Sequence, residues 1–202
     1  MGRAMVLAMV LLGAQAFAEG AAGETGKEKQ PLLTASVTEG ASAIPVQGQV
    51  EPVYAGTYVY AGSEAERVAV KAAVDRATEG MFGKVIAREV LMERSEIRPS
   101  YTIRLDPGRV SVETPGFPPE CSPLDGTEVD LRTKYGDVVK NSQQFVSGAL
   151  LQQGHTPDGS GSTEFRLLAD GNTLRVTHVS RSPRLPRAVE YSLTYVRQQG
   201  AR

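Results

Sequence analysis

Cysteine, histidine and tryptophan are scarce in this chain, and their scarcity excludes several kinds of protein. The 202 residues include one cysteine, two histidines and no tryptophan. Cys121 alone cannot form an intramolecular disulfide, so an apolar core must supply the stability. A zinc site needs three or four converging ligands, and Cys121, His155 and His178 do not stand at ligand spacing. We therefore expect no metal site and no cofactor.

No excess of either charge is present, which argues against nucleic acid as a partner. The chain has 22 lysines and arginines against 23 aspartates and glutamates. Without residues 1–18, which contain only Arg3 as a charged residue, the balance is 21 minus 23, or −2. Nucleic-acid binding draws on a basic surface that neutralises phosphates. We predict no nucleic-acid partner.

Motifs of an activated nucleophile are missing too. The sequence lacks the Gly-x-Ser-x-Gly elbow of serine hydrolases. Cys121 lies in a proline-rich stretch that we interpret as a loop, without a histidine nearby in sequence. An enzyme that uses the scattered residues Glu89, Asp130 and Tyr191 is the least supported class of function. We predict that the protein is not an enzyme.

The N-terminus has the pattern of an export signal. Arg3 supplies a positive charge, Ala4 to Ala14 form an apolar run, and Ala16-Phe17-Ala18 has the small-x-small spacing that signal peptidase recognises. A membrane-spanning helix needs about 20 apolar residues, more than this run supplies. This disfavours the alternative of an uncleaved anchor. We predict a signal peptide at residues 1–18 and a protein that is exported, either to a periplasm or to the extracellular space.

Residues 19–52 differ in composition from the remainder of the chain. Small, polar and charged residues dominate, the apolar residues keep no period, and Pro31, Pro45 and Pro52 interrupt any element. We predict a disordered linker at residues 19–52, acting as a passive spacer or as a tether to an envelope partner. One domain then covers residues 53–199.

This domain begins with one strand and two helices in the sequence pattern. The strand is predicted at Val53 to Tyr60. Ser63 and Glu66 have the spacing of a capping box, and a helix comes next whose apolar face holds Val70, Val74, Ala77 and Met81. A second helix is predicted at Phe82 to Glu93.

From Ser100 onward the apolar period changes from helical to alternating. A hairpin is predicted around Asp106-Pro107-Gly108, and turn residues then recur at regular intervals up to Arg187. This pattern predicts about eight antiparallel strands, and closing them into a barrel removes the unpaired edges. The fold class is therefore α+β, mainly β: a small up-and-down barrel with two helices inserted after its first strand.

Several short segments of the domain are similar to those of one known family. They are Gly56-Thr57-Tyr58, Leu150-Leu151-Gln152-Gln153, Asp170-Gly171-Asn172-Thr173-Leu174 and Tyr195-Val196-Arg197. Together with the order of elements they resemble the fatty-acid-binding proteins of the wider lipocalin-like (calycin) group, over residues 53–199. The resemblance implies a barrel that holds a fatty acid or another apolar molecule, with the helix pair as a lid. The family's ten strands exceed the count of about eight predicted for this chain.

One feature of that family does not carry over. Its members hold the ligand carboxylate with an arginine two residues before the final tyrosine, and this chain has Leu193 there. Arg166 or Arg175 could replace that arginine if either points inward, although strand alternation favours the outer face for both. The family is also mainly intracellular, whereas this chain has an export signal.

Other candidate ligand contacts are predicted by the same alternation. Tyr191 and Tyr195 share a strand face with apolar residues, so their rings are expected to point into the barrel. Phe165 belongs to the same interior. Core tyrosines with no ligand role are the alternative for Tyr191 and Tyr195.

We predict a monomeric, non-catalytic protein that binds a fatty acid or other lipid inside its barrel. The alternative is a barrel filled by side chains that serves as an envelope interaction or structural module. Three arginines in the turn from Arg181 to Arg187 could also give transient contact with an anionic membrane surface.

Overall fold

The computed structural model describes residues 51–199. The predicted signal peptide, and the predicted linker up to residue 50, lie outside the described residues. The described part contains helices α1 (Glu51–Tyr54), α2 (Glu64–Ala77) and α3 (Lys84–Arg94). Its strands are β1 (Gly56–Tyr60), β2 (Ser100–Asp106), β3 (Arg109–Glu113), β4 (Glu120–Pro123), β5 (Val129–Arg132), β6 (Val138–Val146), β7 (Ala149–Thr156), β8 (Gly159–Leu167), β9 (Thr173–Arg181) and β10 (Val189–Arg197).

The ten described strands form one antiparallel sheet that curves into a nearly closed barrel. Its order is β4-β3-β2-β1-β10-β9-β8-β7-β6-β5, so the first strand pairs with both the second and the last. The prediction of a mainly β barrel with two helices after the first strand is confirmed. The count of about eight strands is corrected to ten. One missed strand is β4, which contains Cys121 and whose neighbouring prolines suggested a loop.

The barrel has a gap beside β4, and hydrogen bonds from β4 and the residues after it to β6 bridge this gap. Ser122 Oγ lies 2.9 Å from Gln143 Oε1, and the backbone nitrogen of Gly126 donates to the carbonyl of Gln143 at 3.2 Å. Asp125 also forms an isolated bridge with Gln144. Because β5 pairs only with β6, these contacts join the two ends of the sheet where no continuous ladder does.

The predicted first strand begins later than expected. Residues 51–54 form the single turn α1, and β1 starts at Gly56. The Arg197 guanidinium donates to the carbonyls of Val53 and Ala55, which gives these carbonyls partners without a strand ladder. A Cβ at Gly56 would lie 2.9 Å from Arg197 Nη1, so glycine allows this approach.

Helix α2 packs on the barrel through Val70, Val74 and Ala77 of the predicted apolar face, whereas Met81 lies beyond the end of the helix. Val70, Ala73, Val74 and Ala77 are buried, and the last three form a cluster with Val189 of β10. The predicted capping box does not form, because Ser63 makes no side-chain cap hydrogen bond.

Helix α3 is attached to α2 by partly buried apolar residues and by an ion pair. It contains no buried residue, although Leu91 and Met92 pack partly against α2. Asp75 of α2 accepts hydrogen bonds from Lys71 at 3.0 Å and from Arg88 of α3 at 2.5 Å. These two cations lower the pKa of Asp75. The helix pair is therefore joined by a carboxylate shared between two cations.

Candidate functional site

A row of polar side chains crosses the interior of the barrel. Tyr191 of β10 is paired in register with His178 of β9, which is paired with Thr163 of β8. Thr163 is paired with Gln152 of β7, and Gln152 with Gln143 of β6. Directly opposed residues share a face of the sheet, and on four of these strands the residue two positions away is buried and apolar, so all five face inward. Those four residues are Leu193, Val176, Phe165 and Leu150. We call the five opposed polar residues the polar row.

His178 is the central member of the polar row. Its Nδ1 lies 3.0 Å from Thr163 Oγ1 and its Nε2 lies 3.3 Å from the Tyr101 hydroxyl. Burial, together with the positive charge of Arg98, lowers the pKa of His178 to about 4. The imidazole is therefore neutral at pH 7, with one nitrogen donating a hydrogen bond and the other accepting one.

A second set of polar groups links the row to β4. Gln152 Nε2 donates to the carboxylate of Glu120 and, at 3.3 Å, to Asn141 Oδ1. Burial raises the pKa of Glu120, while the hydrogen bond from Gln152 and the charge of Arg98 act in the opposite direction. Asn141 and Gln143 are 4% and 0% exposed. Neither Asn141 Nδ2 nor Gln143 Nε2 has a hydrogen-bond partner among the described residues.

Arg98, in the connection between α3 and β2, brings a cation to this interior. Its guanidinium carbon lies 3.3 Å from the centre of the Phe117 ring, and its side chain is 19% exposed. Within residues 51–199, its buried Nη1 has no hydrogen-bond partner, and Glu96 Oε2 is 3.7 Å away. The charge of Arg98 also lowers the pKa values of Tyr101, Tyr191 and Tyr195 against the larger effect of burial.

The tyrosines of the interior are neutral groups. Burial raises the pKa values of Tyr101, Tyr191 and Tyr195. The Tyr195 hydroxyl donates to the carbonyl of Arg98 at 3.0 Å, and its ring lies 5.0 Å from that of Tyr101 in an edge-to-face arrangement. These contacts fix the start of β2 and with it the position of Arg98.

Two inward positions on one side of the polar row are glycines. Gly154 of β7 and Gly161 of β8 are paired in register two residues beyond Gln152 and Thr163. A Cβ at Gly154 would lie 3.0 Å from Val139 Cγ1, so the Val139 side chain already fills that position. A Cβ at Gly161 would have its nearest neighbour, the carbonyl oxygen of Val179, 3.7 Å away. His178 and Tyr191 are only half-buried, although desolvation is the main influence on both. Both side chains therefore keep some exposed surface although protein surrounds them.

The sequence matches no protein-family model and no curated protein. Solved structures resemble it in fold. Apo lipid binding protein 8 of Caenorhabditis elegans matches with a TM-score of 0.50 at 12% identity, over 73% of this chain and 97% of that chain. An abundant heat soluble (SAHS) protein of Ramazzottius varieornatus has a TM-score of 0.50 at 12% identity, over 72% of this chain and 96% of that chain. Zebrafish ileal bile acid-binding protein, complexed with cholic acid, has a TM-score of 0.47 at 13% identity, over 72% and 99%.

The chain has the fold of the fatty-acid-binding proteins. The resemblance predicted from the short sequence segments is therefore confirmed at the level of the fold. In this fatty-acid-binding-protein fold, the position of the family's arginine is occupied by Leu193, which is 1% exposed in the core.

One end of this fatty-acid-binding-protein fold is filled by side chains. Tyr54 of α1 donates to the carbonyl of Gly148 at 2.6 Å and accepts from the backbone nitrogen of Leu167 at 3.0 Å. Its ring packs edge-to-face on Phe145. Gly148 and Ser147 both have positive φ, 74° and 49°, as a two-residue hairpin turn of type I′ requires. Gly154 and Gly161 lie on the other side of the polar row, where Val189 of β10 packs against α2.

The five residues predicted as ligand contacts fall into two groups. Tyr191, Tyr195 and Phe165 belong to the interior, where Phe165 and Tyr195 are in the buried core and Tyr191 packs against it. Arg166 and Arg175 lie opposite each other on the outer face, where Arg166 binds Glu164 at 2.9 Å. The structure does not bring these two arginines to the interior, because strand alternation turns them away from it.

Sequence reasoning missed Arg98, Glu120, Asn141, Gln143, Gln152 and His178 as members of one site. For His178 the signal was present, since it continues the alternation of Leu174 and Val176 in β9. For Arg98 no signal existed, because its direction depends on how the connection after α3 packs on Phe117.

Among residues 51–199, no group of three or more His, Cys, Asp or Glu side chains could hold a metal ion. No helix within the same range has the length and apolar content that crossing a membrane requires.

Proposed function

We propose that this is an exported, non-catalytic protein that binds one fatty acid or similar lipid inside its barrel. The observation that carries the proposal is the inward position of Gly161, where a Cβ would have no neighbour closer than 3.7 Å. We place the internal space for the ligand there, beside the polar row. Similar barrels include proteins named for binding lipids and bile acids, which supports an apolar small molecule as the ligand. Leu91 and Met92, partly buried on the helices, supply apolar surface near the same end.

The test is to fill the proposed space. Gly161→Leu adds a side chain at an inward position where a Cβ has no contact closer than 3.7 Å. We expect it to lower the affinity for a fluorescent fatty acid at least tenfold while the protein stays folded. Ser160→Leu, on the outer face of the same strand, is the matched control and should bind as the original protein does. Equal binding by both variants would place the ligand elsewhere.

The alternative is an interaction module whose barrel is full. The closed end supports it in part, because Tyr54, Phe165 and Leu150 are at most 2% exposed there. Native mass spectrometry of protein purified from its own host distinguishes the lipid-binding protein from the interaction module. A co-purifying apolar molecule supports binding, whereas an empty protein that also ignores fluorescent fatty acids supports the module.

Export is the part of the proposal that depends on residues 1–18. Cleavage after Ala18 would leave Glu19 as the first residue. N-terminal sequencing of the protein from the periplasm or the medium tests this, and an intact N-terminus in the cytosol would contradict it.

We also propose a monomer that meets membranes only transiently. In the turn after β9, Arg184 pairs with Asp158 at 2.9 Å and Arg187 pairs with Glu79 at 4.0 Å. These carboxylates reduce the positive charge that the turn presents. We therefore expect the protein to pellet only weakly with anionic vesicles, and this binding should disappear in moderate salt.

A further inference from the structure

Four buried side-chain nitrogen atoms lack hydrogen-bond partners among residues 51–199. One is Arg197 Nε, whose guanidinium is already held by Ala55 and Tyr58, and the other three belong to the candidate site. They are Arg98 Nη1, Asn141 Nδ2 and Gln143 Nε2. All three are donors. A buried donor without a partner costs free energy that a ligand acceptor can restore. The interior is therefore matched to a molecule that carries acceptor oxygens in addition to an apolar body.

The direction of the Asn141 amide is set by Glu120. A carboxylate oxygen accepts hydrogen bonds, so Gln152 must turn its NH₂ group toward Glu120. The same NH₂ group reaches Asn141 Oδ1 at 3.3 Å. Asn141 therefore presents its oxygen to Gln152 and has its own NH₂ group free. The chain of contacts from β4 to β6 fixes Asn141 as a donor.

Gln143 has a similar arrangement one inward position away. Its Oε1 lies 2.9 Å from Ser122 Oγ, and its side chain is fully buried. Positions i and i+2 on one strand lie about 7 Å apart on the same face. The two free NH₂ groups thus form a short pair of donors along β6, facing into the barrel.

Arg98 adds a charged donor on the helical side. Its guanidinium stacks on Phe117 and its Nη1 is buried. Glu96 is its nearest carboxylate at 3.7 Å, and Lys134 shares that carboxylate at 3.3 Å. Arg98 therefore shares its nearest carboxylate with a second cation, while Glu120, the other carboxyl group that responds to the charge of Arg98, has its pKa raised by burial.

We propose that the ligand is an anionic amphiphile with a second acceptor oxygen, its acid group at Arg98 and the second oxygen at the amides of Asn141 and Gln143. Hydroxylated or oxo fatty acids and hydroxylated sterol acids have this chemistry. An unsubstituted fatty acid satisfies Arg98 alone. This inference rests on the proposed function, since it names the class of molecule that occupies the same internal space.

Isothermal titration calorimetry on the full mature protein tests the second oxygen. The ligands are stearate and a panel of hydroxystearates that differ only in hydroxyl position. We expect at least one hydroxystearate to bind about tenfold more tightly than stearate. Stearate binding with no hydroxystearate preferred would overturn this inference and leave the proposed function standing. Absence of binding by the whole panel and by a fluorescent fatty acid would overturn both.

Variants assign the preference to its residues. Asn141→Leu replaces the free NH₂ group with a methyl group at similar volume, and we expect the preference for the hydroxystearate to fall to within twofold of stearate. Gln153→Leu, on the outer face of β7, is the control and should retain the preference. A preference that survives Asn141→Leu and Gln143→Leu, in variants that still bind stearate, would contradict the assignment to β6.

The acid group is tested separately with stearyl alcohol. The original protein should bind stearate at least tenfold more tightly than the alcohol, and Arg98→Met should remove most of that difference. Arg175→Met, on the exposed outer face, should keep it. An alcohol that binds the original protein as tightly as stearate would overturn the role of Arg98.

Discussion

The carboxylate of Glu66 on α2 accepts two hydrogen bonds from Thr194 on β10. The backbone nitrogen of Thr194 lies 3.1 Å from Oε2, and its hydroxyl lies 2.7 Å from Oε1. This contact ties α2 to the last strand, next to the place where β10 pairs with β1. It also uses the residue that the capping-box pattern assigned to the helix N-terminus.

Replacing Glu66 should loosen the helix from the barrel. Glu66→Ala leaves a partly buried backbone nitrogen without its partner, and hydrogen bonds to a charged group contribute about 1.5–3 kcal/mol. We expect the free energy of unfolding in urea to fall by about 2 kcal/mol. Glu64→Ala, whose side chain is 82% exposed, should change it by less than about 0.5 kcal/mol. Equal effects of the two substitutions would show that the Thr194 contact does not hold α2.

Glu66 shows why the helix could be predicted from the sequence while its contacts could not. The period of Val70, Val74 and Ala77 is a local property, and the structure has them buried as predicted. Whether Glu66 bonds backward to Ser63 or across to Thr194 depends on a partner 128 residues away. No local pattern distinguishes these two outcomes.

The difference between local patterns and long-range contacts also explains which strands, and which residues of the site, could be predicted. Long alternating strands such as β10 were predictable because burial on one face fixes their pattern. The short strand β4 was missed because four residues near prolines carry too little alternation. The polar row could not be predicted, since its members come from five strands and depend on the register between them.

Tyr54 is expected to hold the closed end of the barrel. Tyr54→Phe keeps the ring contact with Phe145 but removes the hydroxyl that bridges Gly148 and Leu167. Two backbone groups then lose a partner, so we expect a loss of about 1–3 kcal/mol in the free energy of unfolding.

Tyr135→Phe is the control for this substitution. The Tyr135 hydroxyl reaches the Glu93 carbonyl at 3.4 Å from a side chain that is 37% exposed. The Tyr135→Phe substitution should lower the free energy of unfolding by less than about 0.5 kcal/mol. A Tyr54→Phe variant as stable as this control would contradict the bridging role.

Leu174 should be among the side chains that contribute most to stability. It is fully buried at the centre of the core, and shortening a buried leucine to alanine costs about 2–5 kcal/mol. Val196→Ala on the outer face, 41% exposed, should cost much less. Chemical denaturation of both variants checks this, and similar midpoints would mean that the barrel interior is loosely packed around Leu174.

The stability of the protein should fall in mild acid because of His178. Its pKa is lowered from 6.5 to about 4 in the folded protein, so the unfolded chain binds more protons between these values. Stability from the neutral buried imidazole is therefore fully present above pH 6.5 and is lost as the pH falls toward 4. The shift corresponds to an upper bound of about 3 kcal/mol.

Glu120 acts in the opposite direction, since burial raises its pKa and its folded form holds a proton to higher pH. A comparison with His178→Gln removes this contribution, because Glu120 is common to both proteins. Glutamine can still donate to one of Tyr101 and Thr163 and accept from the other. We expect the original protein to lose stability between pH 7 and pH 4 relative to His178→Gln, measured by urea unfolding at each pH. Parallel pH profiles of the two proteins would mean that His178 has the same pKa in the folded and the unfolded protein, and the lowering of its pKa by burial would then be wrong.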